Sequence, residues 1–258
     1  CPPFEIPNYQ GDVYEVWVPD TLDLAERADL AVNGLTGPTD PNADYEVYWQ
    51  VNFFRDPPIM FHDVDDVQPK FMEALPLLRI ITGSDYNNHV DVAWMNTLLR
   101  SVGPDGMIYM ALKGRPWAKL YKGPDGYPEP VWKANGETTN IHDEDVTQVS
   151  QNFVALGRLM STMMLYYQRD KNEIWKDMTK NLIDRLSILA IDKENYLYYP
   201  EGSFEPNAIV DKNVDVPVGV KAGLAGGRLI QGLTHYYKAT GYKPALNLAG
   251  KLVTYIKD

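Results

Sequence analysis

Residues 61–71 read FHDVDDVQPKF, and residues 141–153 read IHDEDVTQVSQNF. His-Asp-x-Asp occurs in both, at 62–65 and 142–145, and the two motifs hold two of the chain's four histidines. Hydrolysis of a glycosidic bond asks for such groups: one carboxyl protonated to serve the leaving oxygen, one ionised to activate water or attack carbon. Carboxylates crowded together push one pKa upward and leave an acid at neutral pH. A neighbouring imidazole can orient or share the proton. Asp63 or Asp65 with Asp143 or Asp145 would make the pair, with His62 and His142 beside them. A simpler use exists: an aspartate just ahead of a helix caps it and meets the positive end of its dipole. Capping takes one carboxylate per helix and leaves the surplus aspartates and the histidines unexplained.

Seventeen tyrosines and six tryptophans supply flat apolar faces with polar tips, which suit the C–H face and hydroxyls of a pyranose. Tyr48, Trp49, Trp117 and Trp132 fall in loop-like segments and are the candidates for that contact, whereas Trp94, Trp175 and Tyr167 sit at helical spacing and read as core. Arg115 and Lys119, in KGRPWAKL, would meet a uronic carboxylate or stand as solvated loop charges. The histidines and aspartates match no dedicated metal spacing, so neither a metal nor a cofactor is expected. The run AGLAGGRLIQG lacks the spacing and preceding strand of a nucleotide loop. Its small residues at 222–227 are expected to let helices or a ligand come close.

The formal net charge of −11 and sequence pI of about 4.8 exclude a nucleic-acid partner, which needs a basic surface. No apolar run reaches membrane-spanning length. Cys1 is the only cysteine, so there is no disulfide framework. Cys1 followed by the loose PPFEIPN segment resembles a bacterial lipoprotein after signal removal. A secreted or periplasmic location with a lipid anchor on Cys1 is one expectation, and a trimmed chain is the other.

These groups must be positioned by helices. Residues 1–20 read as an extended arm, and Asp20-Thr21 as a cap for a helix carrying Leu24, Ala28, Ala31 and Leu35. YEVYWQVNFF (45–54) reads as a strand or a buried segment. Six further helices follow from apolar spacing. They pair into hairpins with a shared layout: helix end, short polar turn, next helix. An aromatic-rich piece follows, GPDGMIYM in one pair and DKENYLYYP in the next. The first helices of the pairs, at 69–82, 149–169 and 222–239, are expected in one layer. The second helices, at 88–100, 173–190 and 244–257, are expected behind them. Asp215, in NVDVPVGVKAG, falls before the third pair as the acidic motifs fall before the first two.

The repeated hairpin, with the phrases EALPLLRIITGS, GPDGMIYM and HYYKATGY, resembles the (α/α)6 toroid of carbohydrate-active enzymes. Unsaturated glucuronyl hydrolases, β-L-arabinofuranosidases and uronic-acid lyases share that architecture. The resemblance implies an all-α fold over residues 21–258, about half of a six-hairpin barrel. It further implies a second copy or a missing C-terminal half to complete the barrel, with an apolar face at 229–236 left open. It implies a glycoside hydrolase acting on a poly- or oligosaccharide, uronic-acid-bearing ones included, with a carbohydrate as the partner. The alternatives are a lyase on the same scaffold, in which His62, His142, Tyr109 and Arg115 would matter more, and a non-catalytic helical-repeat binding module.

Overall fold

The computed structural model describes residues 23–51, 53–54, 59–62, 67–113, 130–213 and 224–257, and no side chain is described for 49–51, 59–62, 224 and 225. The chain begins with α1 (Leu24–Thr36), capped by the Asp23 carboxylate, which accepts from the backbone N–H of Ala25 and Glu26. The cap therefore sits at Asp23 and not at Asp20-Thr21, which lie outside the described residues. A first sheet follows, with strand order β1 (Thr39–Asp40), β2 (Glu46–Val51) and β3 (Ile59–His62).

Three helix pairs carry the rest: α2 (Val67–Thr82) with α3 (Asn88–Ser101), α4 (Phe153–Asp170) with α5 (Ile174–Leu189), and α6 (Leu224–Thr240) with α7 (Lys243–Lys257). Helix α4 packs between α2 and α6, and each second helix backs its own first helix, as the hairpin layout predicts. The α2 helix ends before Gly83, whose φ of 67° is left-handed and suits glycine at that C-terminal turn.

The expectation of an all-α toroid is corrected, because the chain is mixed α/β. Besides the first sheet, β4 (Tyr109–Ala111) pairs antiparallel with β7 (Gln148–Ser150). Strand β5 (Pro130–Trp132) lies between antiparallel β6 (Thr138–Asn140) and parallel β10 (Ser203–Phe204). β8 (Ile191–Lys193) and β9 (Tyr196–Tyr198) form a hairpin packed on α7. The aromatic pieces that follow α3 and α5 are strands. The 45–54 segment, read as a strand or a buried segment, holds strand β2 with Tyr48 and Trp49, and the segment holding Trp132, which reads as a loop from sequence, is strand β5. Alternating large residues fit a half-buried pleated surface, but strands of two to six residues are too short to show a period against the helices around them.

The core takes Trp94 and Trp175 completely, and half-buries Tyr167 with the Lys176 ammonium 4.5 Å from its ring centre. The 229–236 face is not left open: Leu229, Leu233 and Tyr236 are buried in the main core. Among the exposed apolar side chains of the described residues are Leu77, Ile80 and Ile81 on α2.

Helices α4 and α6 approach each other closely at two glycines. A Cβ on Gly157 would collide with the Arg228 carbonyl oxygen, and one on Gly232 would collide with the Gly157 carbonyl oxygen. Backbone cannot move aside as a flexible side chain does, so Gly232→Ala should cost about 3 kcal/mol, the upper end of the overpacking range. Gly227, in the run expected to permit close packing, has open space around its Cβ position. Gly227→Ala should stabilise by about 0.5–1 kcal/mol, through lost unfolded-state freedom alone. Urea midpoints of the two variants moving in the same direction would refute this reading of the contact.

Candidate functional site

The second acidic motif lies in the turn between β6 and β7 and does not cap a helix. Asn152 caps α4 by accepting from the Ala155 N–H. Asp143 folds back on its own turn, accepting from the Asn140 N–H at 3.0 Å and from the Thr139 hydroxyl. Asn140 Oδ1 in turn accepts from the His142 N–H, and the His142 side chain is exposed. The surplus acid of this motif is Asp145, whose carboxylate meets the Lys133 ammonium at 2.6 Å.

Lys133 follows β5, and the parallel pairing of Phe204 with Trp132 places Glu205 next to it. The Glu205 N–H donates to the Trp132 carbonyl at 2.9 Å. Two carboxyls thus flank one ammonium in opposite environments. The hydrogen bond from Lys133 holds the Asp145 carboxyl below its ordinary range. Burial pushes the Glu205 carboxyl above its ordinary range; Lys133 opposes that shift and Asp145 adds to it. Environments that push two carboxyl pKa values apart assign one group as acid and the other as base. Sequence reasoning missed Glu205. Its signal was faint: one carboxylate directly after a buried apolar strand and before a proline.

The other expected residues divide. His62 ends β3, opposite Val47, with its side chain outside the described residues. Asp63, Asp65, Arg115, Trp117 and Asp215 also lie outside them, as does the Trp49 side chain. A rim shared by the two His-Asp-x-Asp motifs thus stays an expectation. Tyr48 is 40% exposed on β2. Trp132 is corrected: it is 7% exposed and its indole N–H donates to the Glu201 carbonyl at 2.9 Å, so it packs and does not offer a stacking face.

Behind the ledge stands a structural pin. Asp105, in the GPDG turn, accepts from the Tyr109 hydroxyl at 2.7 Å and the Asn207 N–H at 3.0 Å, and pairs with Arg185 Nε at 2.9 Å. It ties the end of α3, helix α5 and the 205–208 segment together, which holds Glu205 in place. Among the described residues, no group of three or more His, Cys, Asp or Glu could hold a metal ion, and no helix is long and apolar enough to cross a membrane.

No family model matches the chain, and no curated protein matches it. Among solved structures it is similar to a GH127 beta-L-arabinofuranosidase from Geobacillus stearothermophilus T6, at 14% identity and a TM-score of 0.41. The likeness covers 92% of this chain and 27% of that one. At that TM-score it carries no argument about activity.

Proposed function

We propose that the chain hydrolyses glycosidic bonds, with Glu205 as the general acid and Asp145 as the ionised carboxylate that activates water or attacks carbon. One observation supports this reading most: two carboxyls beside one ammonium, one pushed up by burial and the other held down by Lys133. Such a pair is what a glycosidic oxygen needs for protonation on one face while the sugar carbon is met on the other. Lys133 serves to keep Asp145 ionised. His142, exposed in the same turn, stands at the edge of the ledge.

Elimination is the weaker reading. Tyr109, the tyrosine base that a lyase would use, is buried and bonded to Asp105, and burial first and that bond second drive its hydroxyl far above the range where it gives up a proton. The experiment is product analysis on a panel of neutral and acidic oligosaccharides. Release of reducing ends without a product absorbing in the ultraviolet supports hydrolysis. A 4,5-unsaturated product overturns it in favour of elimination, and binding without any product makes the chain a recognition module.

A further inference from the structure

A cavity of about 390 Å³ opens between α2, α4 and α6, within the range of small-molecule sites. It is separate from the carboxyl ledge, which adjoins the strands that lead into α4. The cavity follows α4 from Ser161 to Gln168, and Gln168 is fifteen residues, or about 22 Å of helix, beyond Phe153. Its walls follow helical spacing: Glu73 and Leu77 from α2, Ser161, Leu165 and Gln168 from α4, and Gln231, His235 and Lys238 from α6. The Gly157–Gly232 contact holds α4 against α6 at one end of this groove.

The polar groups are held in place. Glu73 is neutralised by Arg158 at 2.5 Å. Gln231 accepts from Arg228 at 2.8 Å and turns its amide toward Glu73 at 3.4 Å. His235 Nδ1 lies 3.0 Å from Ser161 Oγ, whose proton goes to the Gly157 carbonyl. The Ser161 hydroxyl thus meets the ring at Nδ1, and Nε2 is the imidazole's second polar atom. Lys238 makes no ion pair among the described residues and brings an unbalanced positive charge to one end.

We propose that this groove binds a small polyhydroxy carboxylate. Carboxamides that both donate and accept, with an imidazole whose two ring nitrogens can do either, suit hydroxyl groups, while Leu77, Met164 and Leu165 suit a carbon chain. Lys238 suits the carboxylate. An amino acid is disfavoured, because Glu73, the one acidic side chain lining the groove, is already paired.

The test is calorimetric titration with D-gluconate, with sorbitol (hydroxyls and no carboxylate) and with hexanoate (carboxylate and no hydroxyls). Gluconate is expected to bind at least tenfold more tightly than either. Lys238→Met, at an exposed position, should lower gluconate affinity about tenfold and leave sorbitol unchanged. Leu77→Trp should block the groove to gluconate. No gluconate binding, equal binding of all three, or insensitivity to both variants overturns the proposal. The titration is run on Glu205→Gln protein, so binding there with no hydrolysis by the native chain would sink the glycosidase reading alone.

Discussion

Glu205→Gln should lower glycosidic turnover by about 10²–10⁴-fold, the usual loss when a positioned proton donor is removed. Its melting temperature at neutral pH should hold or rise. The folded state raises the Glu205 pKa, so the ionised form costs stability once pH passes that value, and the amide removes this cost. Asp145→Asn should lower turnover comparably and leave the melting temperature nearly unchanged, because the Asp145–Lys133 pair is largely exposed. The native rate should rise with pH through the lowered Asp145 pKa and fall through the raised Glu205 pKa. In Glu205→Gln the alkaline limb should vanish. Full activity in both variants would move the chemistry away from the ledge, to Asp63 or Asp65.

Asp91→Ala should cost about 3–5 kcal/mol of folding stability, as removal of one partner from a buried ion pair does. Asp91 is 1% exposed and stands between two guanidinium groups, Arg79 at 2.7 Å and Arg169 at 3.4 Å. Arg79 also donates to the carbonyls of Ser84 and Tyr86, which fixes the turn between α2 and α3. Arg169 lies 5.0 Å from the Tyr166 ring centre. Without Asp91, two buried cations face each other with no carboxylate between them. Asp44→Ala is the control, since its pair with Arg100 is open to solvent and worth well under 1 kcal/mol. Urea midpoints that shift equally in the two variants would show that Asp91 adds nothing special.

The helix pairs were legible in the sequence because apolar spacing repeats over sixteen or so residues, as in Phe153–Asp170, and because Thr82-Gly83 and Thr240-Gly241 mark sharp ends. The sheets were not. Ser203–Phe204 is two residues long, and its partner Val131–Trp132 lies far back in the chain. Asp145 was legible as a surplus acid, and its partner Lys133 was not, since their contact depends on how the β5–β6 hairpin turns. Glu205 was hidden for the same reason: its environment is made by residues distant in sequence. Gly227 has open space at its Cβ position whereas Gly157 and Gly232 face backbone, because a glycine matters where a facing backbone arrives, and the facing helix is not written next to it.

The parallel pairing of β10 with β5 also sets an order of assembly. Strand β5, its partner β6 and the Asp145 turn are adjacent in the chain and can form as a local hairpin. Glu205 joins them only after α4, α5 and the β8–β9 hairpin have carried the chain back to β5. Closing so long an intervening stretch is entropically slow compared with making a hairpin. On the ribosome, the nascent chain therefore carries Asp145 long before Glu205. Loosening α4 or α5 would separate the two carboxyls although neither helix contains one of them.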